Sequence, residues 1–317
     1  MGGPFPEALV VGAGAVAGEM KTGRDAAVII PRRLPVACLV MLVSMGSMGV
    51  PLAAFGQAGP PAQATPASGT SAARPAGVPA GHAVPRADRN SMEAHVQLLQ
   101  KARQGRIDIY FAGDSIVRRW GATDYPDLLA NWKENFYGWN AADFGWGADR
   151  TQNILWRLQN GELDGVSPKV IVLLAGTNNV GAQPGDEATV ADIARGVKAI
   201  VDLCRLKAPA ATIILTAIFP RNDNLAVMPT INAINARLAL LADDTRVRFL
   251  NINDRLAGQD GRLVEGVMHA RDQLHPTLEG YQIWADALKP IFRELLGPPA
   301  AIDLAPPPTG DPSARLK

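Results

Sequence analysis

The sequence predicts an α/β domain in which a parallel sheet is covered by helices on both faces. Three observations carry this. Residues 169–175 (KVIVLLA) and 212–218 (TIILTAI) are near-continuous apolar runs of strand length, as expected for strands buried on both sides. Longer segments between such runs place their apolar residues at helical spacing. The two kinds of segment also alternate along the chain, the order that parallel strands joined by crossover helices require.

Taken in order, Met92–Arg103 reads as a helix leading into a first strand at Ile107–Phe111 (IDIYF). Asn140–Phe144 supplies a second, shorter strand and Lys169–Ala175 a third, while Thr212–Ile218 and Arg246–Ile252 complete a sheet of about five. Val190, Ile193, Val197, Ile200 and Cys204 fall on one helix face, and Ile231, Ile234, Leu238 and Leu241 repeat the pattern. Leu278–Leu296 closes the domain with Ile283, Leu288, Ile291 and Leu295. On that face Cys204 is a core residue with no redox role.

The flanks differ in composition. Arg32-Arg33, the short apolar run Leu34–Val50 and the small residues after it have the layout of a secretory signal peptide, so 1–56 is expected to be a leader. Its length before the apolar run leaves Met20 as a second candidate start. The run is broken by Pro35, Gly46 and Gly49, which disfavours a spanning helix of ~20 apolar residues. Cys38 precedes the apolar core and so does not suit a lipoprotein site. Gly12-x-Gly14-x-x-Ala17 matches a dinucleotide fingerprint in letters only, because Pro31, Arg32 and Arg33 follow where a βαβ unit should. Residues 57–90 and 297–317 are rich in Pro, Ala and Gly and are expected to be disordered, leaving a folded domain at 91–296. The expected location is secreted or periplasmic, with no stable membrane insertion after leader cleavage.

Composition narrows the function. Of 317 residues 47% are hydrophobic and the formal charge is +1, which argues against a nucleic-acid binder. Two cysteines, one in the leader, and four scattered histidines provide no cluster at metal-ligand spacing, so no metal or other cofactor is expected. The oligomeric state is not set by anything in the chain.

Polar or small residues follow the strands. Gly113-Asp114-Ser115 comes after the first, Gly145–Asp149 (GWGAD) after the second and Gly176–Asn179 (GTNN) after the third. Asp272-Gln273-Leu274-His275-Pro276 precedes the last helix. In an open parallel sheet these ends gather on one edge, where ligands bind. A serine hydroxyl there needs a base, the base needs an orienting carboxylate, and the oxyanion needs donors. Ser115, His275, Asp272, the N–H groups of Ser115 and Ala148 and the Asn178 amide meet those needs. Each also has a plainer reading. Asp114 and Ser115 suit a helix cap, Asp149 suits the N-cap of a helix over Thr151–Leu158, and Asn178 and Asn179 suit a turn. His269 lies three residues before Asp272 as His275 lies three after, so spacing leaves both as candidate bases, with Pro276 favouring His275. Trp120 and Trp146 could line a sugar or acyl site or simply pack in the core.

With these blocks in order the chain resembles the SGNH (GDSL-type) hydrolases, and among them the platelet-activating factor acetylhydrolase catalytic-subunit branch. The first block is Gly113-Asp114-Ser115, the second runs through FGWGADRTQNILWRLQNGEL at 144–163, the third is Gly176-Thr177-Asn178-Asn179 and the fifth Asp272-x-x-His275. The resemblance covers 105–296. It implies a three-layer α/β/α, flavodoxin-like fold, with Ser115 as nucleophile and oxyanion donor, His275 as base, Asp272 as its partner, and Ala148 and Asn178 completing the oxyanion hole. Two positions depart from the family: Ala148 stands where glycine is usual, and Asp143 where asparagine is frequent. A serine esterase acting on a short-chain, acetyl-type ester of a small molecule, glycan or lipid is the expected activity. A lysophospholipase or thioesterase with a longer acyl site is the alternative, as is a non-catalytic module binding a carbohydrate or cell-envelope ligand.

Overall fold

The computed structural model describes residues 77–316; the expected leader and residues 57–76 of the expected linker lie outside them. In chain order the helices and strands are α1 (Arg89–Ala102), β1 (Ile109–Gly113), α2 (Ser115–Gly121), α3 (Pro126–Phe136), β2 (Ala141–Asp143), α4 (Thr151–Arg157), β3 (Val170–Leu174) and α5 (Thr177–Val180). They continue with α6 (Glu187–Lys207), β4 (Thr212–Thr216), α7 (Met228–Ala239), β5 (Val247–Leu250), α8 (Asn253–Leu256) and α9 (Leu278–Leu296). All five strands are parallel, in the order β2-β1-β3-β4-β5. The chain therefore steps outward from β1 to β2 and then crosses back to β3, which places the switch in strand order between β1 and β3. Loops part there and leave a crevice at the carboxyl ends of those strands.

The period-2 alternation of a strand assigns the two cores. Ile109 and Phe111 of β1, with Val170, Val172 and Leu174 of β3, pack against α2, α3 and α9. Tyr110, Ala112, Ile171 and Leu173 point the other way, against α4, α6 and α7. The first core is aromatic: Phe111 meets Trp132 at 4.6 Å and Trp120 stacks on Trp284 at 5.1 Å between ring centroids. Trp120 is fully buried there and its Nε1 donates to Asn131. Trp146 is also buried, under the Arg118 guanidinium. Both tryptophans are packing residues. Cys204 is fully buried in the second core, and burial pushes its thiol up to about 12.

Two expectations about the flanks are corrected. Residues 297–316 are laid along the domain and held by backbone groups. Trp139 Nε1 donates to the Gly297 carbonyl at 3.0 Å, Ala300 N to Gly138 O at 2.9 Å, Leu304 N to Asn140 Oδ1 at 2.7 Å and Thr123 N to Thr309 O at 3.1 Å. A Pro-rich stretch cannot extend a helix or a sheet ladder, but its carbonyls can still accept from distant partners. Residues 77–90 are docked as well. Val84 N donates to Gln152 O, Gln152 Nε2 to Val78 O and Thr151 Oγ1 to Ala80 O, all onto the start of α4, and α1 begins at Arg89. Among the described residues, no helix is long and apolar enough to cross a membrane.

Candidate active site

Close packing at the end of β1 builds the site. A Cβ on Gly113 would lie 2.4 Å from a Val117 methyl and 2.5 Å from the Leu174 carbonyl, so only glycine fits between α2 and β3. The loop after β2 is drawn against the same point, with Trp146 N donating to Gly113 O at 3.1 Å. Asp114 is the N-cap of α2, and its Oδ1 accepts from Ile116 N at 2.9 Å. The cap and the nucleophile readings therefore belong to different residues. Asp114 caps, and Ser115 at the first position of the helix is free to reach outward.

Ser115 Oγ lies 2.9 Å from His275 Nε2, and His275 Nδ1 lies 2.9 Å from Asp272 Oδ2. Asp272 Oδ1 also accepts from the backbone N–H groups of Leu274 and His275 at 3.1 and 3.0 Å. Burial alone would raise the Asp272 pKa, but these hydrogen bonds outweigh it and bring the group to about 2. An ionised Asp272 only accepts, so His275 carries its proton on Nδ1 and presents Nε2 to the Ser115 hydroxyl as an acceptor. Burial of the imidazole, and next the charge of Arg119, lower the His275 pKa against the opposing pull of Asp272. At neutral pH the ring is an unprotonated base.

The structure separates the two histidines. His269 serves through its backbone: its carbonyl accepts from Asp272 N and Gln273 N, and its N–H donates to His275 O. The residue is exposed and lines a groove of about 430 Å³ with Arg119, Tyr125, Leu128 and Pro276.

Of the expected oxyanion donors, Asn178 is tied to the loop that carries Ala148. Asn178, at the start of α5, donates from Nδ2 to Asp149 O at 2.9 Å and so ties the β3 and β2 loops together. Ala148 has φ +61°, in the left-handed region that costs an L-residue about 1–2 kcal/mol. Among the described residues the N–H groups of Ser115 and Ala148 donate to no protein acceptor. Ala148 lines a second groove, of about 460 Å³, with Val84, Arg86 and Arg150.

Two plain readings of polar residues are revised. Arg150, not Asp149, is the N-cap of α4, and Asn179 Oδ1 accepts from Thr151 N across the site. The Asp149 carboxylate turns inward to Arg157 Nε at 2.6 Å, and Arg157 Nη1 reaches Glu162 at 2.9 Å, which also meets His95 Nδ1 at 2.7 Å. Burial raises the Asp149 pKa to about 7 against the pull of Arg157, and burial raises Asp114 to about 7 too, with Asp149 adding to the shift. Sequence reasoning passed over Arg119, Arg157 and Arg221. The last is buried, bonds to Thr177 O and pairs with Asp223. A hydrophobic pattern carries no signal for a buried arginine whose partners lie in other loops. No group of three or more His, Cys, Asp or Glu among the described residues is placed to hold a metal ion.

Known proteins resemble this chain in family and in fold. The model of the GDSL-like Lipase/Acylhydrolase family matches residues 111–283. Among curated proteins, platelet-activating factor acetylhydrolase IB subunit alpha2 of Rattus norvegicus is 32% identical over 224 residues, covering 70% of this chain and 92% of that protein. Subunit alpha1 of Homo sapiens is 31% identical over 211 residues, covering 66% and 85%. Among solved structures, a candidate acylhydrolase of Bacteroides fragilis superposes with TM-score 0.51 at 22% identity, covering 66% of this chain and 99% of that one. A Streptococcus pneumonia chain gives TM-score 0.53 at 23% identity, covering 64% and 92%. These structures share the α/β fold.

Proposed function

The chain belongs to the GDSL-like lipase/acylhydrolase family and is a carboxylic ester hydrolase of that kind, and on this footing we propose that it removes short acyl groups, acetyl first among them, through a Ser115–His275–Asp272 triad. The observation that carries the reading is the unbroken line of 2.9 Å contacts from Ser115 Oγ through the His275 ring to Asp272 Oδ2. As Ser115 Oγ attacks the ester carbonyl, its proton passes to His275 Nε2, and Asp272 stabilises the imidazolium that forms. The carbonyl oxygen becomes an oxyanion, received by the free N–H groups of Ser115 and Ala148 and the amide of Asn178. His275 then returns the proton to the departing alkoxide, leaving an acyl-serine. In the second half, His275 takes a proton from water as the water oxygen attacks the acyl carbon, then returns that proton to Ser115 Oγ as the acyl–oxygen bond breaks, and the acid is released.

The acetyl preference draws on the names of the curated relatives, which are acetylhydrolase subunits. The alcohol side is a small-molecule, glycan or lipid ester. Action outside the cytoplasm draws on the leader sequence at 1–56. The test is p-nitrophenyl acetate turnover by the full chain and by Ser115→Ala, with labelling by a fluorophosphonate. The variant should lose both, and unchanged turnover would remove Ser115 from the chemistry. His275→Ala should be as inactive, whereas His269→Ala keeps most activity. A series of p-nitrophenyl esters of rising chain length should peak at two carbons. A peak at eight or more would point to a lysophospholipase or thioesterase instead.

A further inference from the structure

Ala148 is held in a conformation it resists, and the residues on either side of it show how. On its carboxyl side, the Asp149 carbonyl is taken by Asn178 and the Asp149 Oδ2 atom by Arg157. On its amino side, the Gly147 carbonyl accepts from Arg86 Nη1 at 3.1 Å. The same Nη1 lies 3.5 Å from Asp149 Oδ1, a fully buried oxygen with no hydrogen bond of its own among the described residues. Arg86 is aimed by Asp88, whose Oδ2 meets Nη2 at 2.8 Å, and the backbone around it is fastened to α4 by Val84 and Ala80.

We infer that Arg86 is a positioning residue for the reaction: it bridges Gly147 and Asp149 and so fixes the Ala148 N–H at the place of the developing oxyanion. The inference rests on the triad reading given above. Arg86 touches neither the triad nor the free N–H groups, and it acts only through the loop between its two partners. A guanidinium suits the task because it is planar, permanently charged, and has several donors fixed at a set spacing. An oxyanion donor displaced by about 1 Å loses most of its value, because preorganisation is what makes such donors effective. Residues 77–88 thereby belong to the catalytic unit, although their composition reads as a tether.

The test uses the full chain with p-nitrophenyl acetate. Arg86→Met keeps the length and apolar stem but removes the donors and the charge. It should lower kcat and kcat/KM together by about ten- to a hundredfold, leave KM within about twofold, and leave fluorophosphonate labelling of Ser115 detectable. Combined with Ala148→Gly, the same substitution should cost less, since glycine adopts φ +61° without strain. A kcat within about twofold of the parent, or a loss confined to KM, overturns the inference. If Arg86→Met does not accumulate as folded protein, Arg86→Lys is read in its place. Lysine cannot reach both partners in the same geometry, so a severalfold fall in kcat supports the role and an unchanged kcat refutes it. An active Ser115→Ala control would overturn the triad itself. An inactive control beside an unaffected Arg86→Met would overturn only the role of Arg86.

Discussion

Arg119 and His275 meet on one oxygen: Arg119 Nη1 lies 3.4 Å and His275 Nδ1 2.9 Å from Asp272 Oδ2. The guanidinium is held in place by the Tyr125 ring, 5.4 Å from its centroid. Arg119 thus shares the carboxylate that orients the base and opposes protonation of that base. On the proposed triad the neutral imidazole is the working form, so kcat/KM should fall only on the acid side of the ordinary histidine value of 6.5 and stay level above it. Arg119→Met removes the opposing charge, so the His275 pKa rises and the acid limb moves to higher pH. Profiles of kcat/KM from pH 4 to 9 for both proteins check the sign. A limb that moves down would show that Arg119 acts mainly by orienting Asp272.

Ala148→Gly should stabilise the protein by about 0.5–1 kcal/mol, since relief of the left-handed strain at φ +61° exceeds the added freedom of the unfolded chain. Urea unfolding measures it. A loss of stability would mean that the methyl group makes contacts worth more than the strain.

Asn178→Ala should lower kcat by about a hundredfold or more, the usual result of removing one oxyanion donor. Its bond to Asp149 O would be lost too, so the loop bearing Ala148 is loosened at the same time. A loss smaller than tenfold in steady-state assays would leave Asn178 as a tie between loops and nothing more.

Arg157→Met should be among the most damaging substitutions for stability, at about 3–5 kcal/mol, because it removes the buried cation that bonds both Asp149 and Glu162. Denaturant midpoints measured with matched m-values provide the test. A change under 1 kcal/mol would mean that both carboxyls protonate and settle without their cation.

Removal of 297–317 should lower stability by roughly 2–4 kcal/mol, from several backbone hydrogen bonds worth about 1 kcal/mol each. A thermal melt of the shortened chain that coincides with the parent would restore the tail to a disordered appendage.

The fold was legible where burial leaves a pattern. The run KVIVLLA announced β3, and the helical spacing of Val190 through Cys204 announced α6, because strands covered on both faces and helices covered on one leave simple periodicities. Strand β2 was harder: three residues, Ala141–Asp143, give little pattern, and only the polar loop after it stood out. The candidate triad could be gathered from the end of β1 and the loop before α9, and although both histidines lie three residues from Asp272, Pro276 and the family resemblance already favoured His275, which the structure sets beside Ser115. Residues 77–90 and 297–316 read as disordered from sequence because a Pro- and Ala-rich chain lacks a core of its own, and nothing local shows that Asn140 or Gln152 waits to receive it. The inward turn of Asp149 was hidden for a similar reason. An aspartate before a helix looks like a cap unless Arg157, two turns on, is known to be buried beneath it.

The short outer strands have a consequence for behaviour at high concentration. The sheet ends on one side at β2, three residues long, and on the other at β5, four residues long. On β5 Arg248 is engaged by Glu294 of α9 through two charge-assisted bonds. Edges so short, one of them bearing a paired charge, are poor templates for adding strands from another molecule. Concentrated or aged samples should therefore resist cross-β growth from the native state, and thioflavin-positive material should require prior unfolding.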